Sequence, residues 1–385
     1  MKVEIRLSNI LVQTKRSIPL IDLQASYASI SEELLRAAEE VLSSGHYING
    51  PQVQAFEEEL AQYLNVPYAV GVANGTDALM LTLDALGIGP GDEVITSPFT
   101  FFASAEVISR VGATPVFVDV NPETYLIDTN CIKNAITPRT KAIIPVHIFG
   151  QMADMDAVND IAMRHGLHVV EDACQALGAD YNGKQAGSLG TAGCFSFFPT
   201  KNLGGFGDGG IVVTHDAELA RTIRMLRVHG SNPKYYHARV GYNSRLDELQ
   251  ASLLRVKLRR LNEWTDVRRQ KVKQYEEGLS QLPITLPTEL VYGKHAYHLY
   301  IIETDQREQL MAHLKEQGID SGVYYPVPLH LQEVYRPLEY SEGDLPHAEQ
   351  ASARCMALPL FPELTQQDQQ YIIDTVTQFF KGRDK

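Results

Sequence analysis

The stretch Cys194–Gly210, CFSFFPTKNLGGFGDGG, sets one lysine between an aromatic run and a string of glycines. Phe195, Phe197 and Phe198 read as a buried strand, and Pro199 and Thr200 break it, so Lys201 falls on a turn just past the strand end. Gly204, Gly205, Gly207, Gly209 and Gly210 either admit a close neighbour or take up positive φ. A lysine is ordinarily a solvated surface residue. Held in a dry pocket, its ammonium form is destabilised and the amine becomes a nucleophile. That is the chemistry of a Schiff-base lysine, which calls for a carbonyl partner such as pyridoxal phosphate (PLP).

Two further spots have matching chemistry. At NGTD, Asn74, Gly75 and Thr76 follow a strand and open a helix. Free backbone N–H groups and the helix dipole make such a turn a phosphate site. Thr76 or Asp77 as a plain N-cap is the compatible alternative. The spacing fits neither a Walker A loop nor GxGxxG. At LHVVEDA, Glu171 and Asp172 end a strand of otherwise buried residues. A carboxylate there is costly without a cation. Its partner is either a salt bridge or helix cap, or the protonated pyridine nitrogen of PLP, which keeps the ring an electron sink. A phosphate turn, a strand-end acid and a dry lysine, in that chain order, fit one cofactor.

The elements that must position these groups alternate between strand and helix. Helical spacing covers about 26–43 and 52–64, joined by the loop SSGHYINGP. YAVGVA, DEVITS, TPVFVDV, KAIIPVHIF and LHVVEDA then read as strands, with helices in NGTDALMLTLDAL, FFASAEVISRVG and MDAVNDIAMRHG. Nearly continuous apolar strands mean a mostly parallel sheet covered on both faces, with ligands at its carboxyl ends. From about 244 to 279 the pattern is one long helix with many i,i+4 charge pairs. A compact α/β unit follows, closing with helices around HAEQASARCMAL and QQDQQYIIDTVTQFF. His295 and His298 lie in the strand-like run HAYHLYIIET, where an offset of three faces opposite ways, and they read as structural.

The 385 residues suit a large domain plus a smaller one. A net charge of −13 without a basic run argues against a nucleic-acid partner. No apolar run of membrane-spanning length is present, and the N-terminus lacks a signal-peptide core, so no membrane association is expected. Cys131, Cys174, Cys194 and Cys355 are widely spaced, which fits reduced thiols in a cytoplasmic protein and no metal site.

In these motifs the chain resembles the DegT/StrS family, fold-type I PLP aminotransferases acting on nucleotide-linked keto-sugars. GHYINGP, NGTDAL, PGDEVITSPFTFFAS, EDACQALGA, FSFFPTKNLGGFGDGG and YNSRLDELQA fall in the family's order and approximate spacing. The resemblance implies an α/β fold, a large domain with a mostly parallel sheet flanked by helices and a smaller C-terminal α/β domain. The expected divisions are an arm at 1–17, a PLP-binding domain at 18–250 and a small domain at 251–385, bridged by the long helix from about 245. The resemblance further implies that Lys201 forms the Schiff base and Asp172 pairs with the pyridine nitrogen. Gly75, Thr76 and Ser196 hold the phosphate, Phe101 stacks on the ring, and Gln175 lies near the phenolic oxygen. Asn243 matches an asparagine that reaches the phosphate from a second subunit, which makes a homodimer part of the implication. Tyr324, Tyr325 and His330 resemble a sugar-contacting loop, although the tyrosines equally fit core packing.

The implied activity is ping-pong transamination from an amino acid, by family habit L-glutamate, to the sugar ketone. Phe198 stands where many members have histidine, and Asp208 replaces a common glutamate. Alternatives are a cyclitol-ketone aminotransferase, a PLP-dependent sugar dehydrase (which would have histidine in place of Lys201) and a regulatory homologue without turnover.

Overall fold

The computed structural model describes residues 16–382. The arm expected at 1–17 therefore lies, up to residue 15, outside the described residues. Helices α1 (Leu23–Ser44) and α2 (Pro51–Leu64) lead into the alternating region. There β1 (Tyr68–Val72), β2 (Glu93–Thr96), β3 (Thr114–Phe117), β4 (Thr140–Ile144) and β5 (His168–Asp172) are separated by α3 (Gly75–Ala85), α4 (Ala103–Arg110), α5 (Thr129–Ala135) and α6 (Met155–His165). A short hairpin, β6 (Asp180–Tyr181) and β7 (Lys184–Gln185), precedes β8 (Ala192–Ser196), β9 (Gly210–Thr214) and α7 (Ala217–Leu226).

The main sheet has the order β1-β9-β8-β5-β4-β2-β3. All neighbours pair in parallel except β9, which runs antiparallel to both β8 and β1. The chain segments after β1, β2, β5 and β8 and before β9 consequently meet at one edge. Both faces are buried, as the apolar strands require. Ile143 and Ile211 join the core that holds Phe56, Leu60 and Phe195, whereas their neighbours Ile144 and Val212 join the core with Leu79, Val94 and Ile223. Full burial of each such side chain stabilises by about 1.5–3 kcal/mol.

The expected single helix from about 244 is two helices, α8 (Glu248–Leu258) and α9 (Leu261–Leu279). No Pro or Gly marks the break at Arg259–Arg260. It arises because the two halves bury against different partners: Leu253 and Val256 against Ile30 and Leu34, and Val272, Tyr275 and Leu279 against the C-terminal core. That core is built on β11 (Tyr300–Glu303) paired antiparallel with β12 (Cys355–Leu358), after β10 (Gly293–Lys294) has joined the β6–β7 hairpin. It is covered by α10 (Arg307–Glu316) and α12 (Gln366–Lys381), whereas α11 (Pro346–Arg354) packs Ala348 and Ala351 into the core with Phe56. CMAL, read as helical, is thus the strand β12. Ile18, expected at the start of the large domain, packs in this C-terminal core and bridges to Ile319.

Candidate active site

A cavity of about 710 Å³ opens at the carboxyl edge of the sheet. Its lining includes Gly75, Thr76, Phe101, Asp172, Gln175, Ser196, Lys201, Tyr324 and Tyr325. Two of the named residues lie outside it, one of them, Asn243, expected at a second subunit's site and not at its own chain's. Asn243 is exposed on the loop before α8 and bridges to Val228. His330 is buried elsewhere, with its Nε2 3.1 Å from Glu349 Oε1.

The phosphate-like end is built by the start of α3. Asn74, rather than Thr76 or Asp77, caps this helix: its Oδ1 accepts the Asp77 N–H at 2.8 Å, and its carbonyl accepts the Ala78 N–H. The earlier amides, of Gly75 and Thr76, are left for an anion. A side chain at Gly75 would place Cβ 2.7 Å from Ser196 Cβ and 2.9 Å from Cys174 Sγ, so only glycine lets β8 and α3 meet here. The Ser196 hydroxyl accepts the Phe198 N–H at 3.2 Å and lines the same end.

The two acids closing β5 divide their work by strand alternation. Glu171 points away from the cavity. Its carboxylate accepts bonds from His147 Nε2 (2.8 Å) and from the amides of Gly187 (2.8 Å), Leu189 (2.7 Å) and Gly190 (2.6 Å). Asp172 points into the cavity, held by the Ser104 hydroxyl at 2.6 Å and the Cys174 N–H at 3.2 Å.

Lys201 lies on the 197–209 loop between β8 and β9. The loop is tight: a Cβ at Gly204 would fall 2.1 Å from the Pro199 carbonyl oxygen, and one at Gly210 2.3 Å from that of Asn74. Close approach, rather than positive φ, is therefore what these glycines supply. Asn202 Nδ2 donates to the Ala296 carbonyl at 2.9 Å, tying the loop to the C-terminal half of the chain. Burial pushes the Lys201 amine below its ordinary range, with Cys174 and Asp172 acting in the opposite direction. Gln175 accepts the Phe149 N–H (2.8 Å) and donates to the Tyr325 hydroxyl (3.0 Å). Phe101 is 57% exposed, so its ring is free to cover a flat ligand, and it lies 6.2 Å from the Tyr325 ring. Phe198 and Asp208, the two departures from the family pattern, both line the cavity.

His298 also lines it and was missed. Residues 295–299 are not strand, so the alternation argument did not apply to them. His295 behaves as read: its ring stacks on Tyr297, its Nδ1 accepts the Tyr297 N–H, and burial, then Arg269, holds its pKa down to about 3.

A model of the DegT/DnrJ/EryC1/StrS aminotransferase family matches residues 28–377. The chain belongs to this family. It is 50% identical over 369 residues to a "Pleiotropic regulatory protein" of Geobacillus stearothermophilus, covering 95% of this chain and 99% of that one. It is 45% identical to the "dTDP-3-amino-3,4,6-trideoxy-alpha-D-glucose transaminase" of Streptomyces venezuelae, covering 96% and 97%. Among solved structures, S. venezuelae DesV superposes with a TM-score of 0.93 at 45% identity, covering 95% and 99%. NtdA of Bacillus subtilis, solved with bound cofactor PMP, does so with 0.89 at 33%, covering 95% and 85%. The aminotransferase assignment and the α/β fold with a mostly parallel sheet hold. No described helix is long and apolar enough to cross a membrane.

Proposed function

We propose that this chain binds PLP and moves an amino group from an amino acid, L-glutamate, to a keto group of a nucleotide-linked sugar. One observation carries this reading: the amides of Gly75 and Thr76, the Asp172 carboxylate and the Lys201 amine line one cavity. The donor set fits the cofactor. An anion-ready helix start, a fixed carboxylate and a desolvated amine match a phosphate, a pyridinium nitrogen and an aldehyde, and the glycine at 75 leaves room for the first of these. When bound, PLP supplies the aldehyde that carries the amino group and the electron sink that makes the donor's Cα proton acidic.

The chain's own residues do the rest. Gly75, Thr76 and Ser196 would hold the phosphate, and Phe101 would cover the ring. Asp172, oriented by Ser104, would keep the pyridine nitrogen protonated. Gln175 would lie near the phenolic oxygen. Lys201, its amine brought below its ordinary range by burial, would take the proton from the donor's Cα and return it to the cofactor's C4′ carbon. Asn243 is exposed beside a loop that presents Tyr235 (79% exposed), Tyr236 (71%) and Val240 (93%). In a homodimer this segment supplies Asn243 to the neighbouring site. The reading places the enzyme in the cytoplasm, in amino-sugar or polysaccharide synthesis.

The test is optical. Purified protein should absorb as a PLP enzyme, lose that band with L-glutamate, and regain it with a nucleotide-linked keto-sugar. A cofactor band that no amino acid discharges would instead favour a regulatory protein, the reading to which the name of the Geobacillus relative points.

A further inference from the structure

His298 is 5% exposed, yet it contributes to the cavity wall. Its position is set from both sides. Its backbone N–H donates to the Phe149 carbonyl (2.8 Å), and Phe149 in turn donates to Gln175. Two residues earlier, the Ala296 carbonyl accepts from Asn202, the neighbour of Lys201. The imidazole is therefore held between the residues that flank the reacting centre.

Its ring has no hydrogen-bond partner among the described residues. Nδ1 is fully buried and unpaired, which leaves Nε2 as the nitrogen available to a group in the cavity. Burying a bare lone pair costs less than burying an unpaired N–H, so the proton belongs on Nε2 and the cavity meets a donor. Burial, then Lys201 and Arg268, hold the ring well below its ordinary pKa and so neutral. Arg268 itself is buried and donates to the backbone carbonyls of Tyr297 (3.4 Å) and Leu360 (2.8 Å), which places positive charge behind the imidazole. A neutral donor backed by positive charge is suited to an anion.

Few groups in the cavity compete for that task. Arg110, its other cation besides Lys201, is engaged with Glu106 at 2.9 Å on α4. The anion that must lie nearest Lys201 is the donor's α-carboxylate, two bonds from the nitrogen being transferred. We propose that His298 Nε2–H binds the α-carboxylate of the amino-acid donor. The assignment rests on the aminotransferase reading above.

The experiment titrates the PLP-loaded enzyme with 2-methyl-L-glutamate, which lacks the Cα proton and so binds without turnover, following the cofactor absorbance. H298L should raise the apparent Kd at least tenfold, whereas H298Q, which keeps an N–H donor, should stay within about threefold of wild type. 4-Aminobutyrate, which lacks the α-carboxylate, should bind wild type and H298L equally. Return of the band with keto-sugar, starting from the pyridoxamine form, should change less than threefold. Equal 2-methylglutamate binding by H298L and wild type, or an equal loss for 4-aminobutyrate, would overturn the assignment alone. Should H298L not retain cofactor, a tenfold loss in H298Q would overturn it as well. A wild-type protein with no cofactor band would overturn the aminotransferase reading, and this assignment with it.

Discussion

Lys201 and Lys257 both meet the glycine-rich loop, and burial dries both amines, yet their surroundings differ. Lys257, on α8, donates to the Gly204 carbonyl and lies over the rings of Phe206 (5.3 Å) and Trp264 (5.9 Å). Burial brings its pKa down to about 8, with Glu363 opposing. Lys201 is dried in the same way, but among the described residues its amine has no hydrogen-bond partner, and it lines the cavity. Desolvation alone does not make a lysine reactive. What separates the two is an amine left unmatched by the protein and turned toward space that a carbonyl can enter.

The sharpest way to break this contrast is to remove each amine. K201A should lower the rate of discharge by L-glutamate by about 10³-fold or more, since both the nucleophile and the proton carrier are gone. Stopped-flow absorbance measures it; a fall of under tenfold would end the distinction. K257M keeps the stem and loses the bond to Gly204, so its effect should be on stability, at about 1–2 kcal/mol by denaturant melting, with discharge slowed less than tenfold.

The two β5 acids offer a second contrast of the same kind. D172N should slow discharge by about 100-fold while leaving the melting midpoint close to wild type, because the amide no longer favours a protonated ring. E171Q should do the reverse. It turns an amide NH2 toward two of the four donors, whichever oxygen it replaces, and should cost about 3 kcal/mol of stability, with little effect on the chemistry of whatever remains folded.

The smallest effect is on pH dependence. His295 is held at about 3 when folded, against about 6.5 when unfolded. Between these values the unfolded chain binds a proton that the folded one refuses, so stability should fall as pH drops below about 6.5. The slope contributed is at most about 1.4 kcal/mol per pH unit. H295N should flatten the slope of the melting midpoint between pH 6 and 4.

What was legible in the sequence follows from range. Asp172 ends a strand, and Lys201 and Gly75–Thr76 follow one, so local pattern placed them at the sheet's carboxyl edge. The role of Glu171 was hidden because its partners at 187–190 return to it only in the fold. Asn74 was passed over as the cap because Asn74, Thr76 and Asp77, within four residues, all suit that role. His298 was missed because Tyr300–Glu303 is a true strand, and its alternation was carried back onto a loop. The break between α8 and α9 falls where the buried face changes partner, which an i,i+4 pattern does not register. His330 was placed by motif alone, and its ring turns to Glu349 instead.

The antiparallel strand β9 has its own consequence. Because it returns directly beside β8, Lys201 rides on a hairpin with both feet in adjacent strands, whereas the parallel neighbours β2 and β3, and β4 and β5, are joined through the helices α4 and α6. Residues 197–209 can therefore be recut or transplanted as one cassette without re-threading a helix, and the amine they carry can be re-aimed while the phosphate turn and the acid stay where they are.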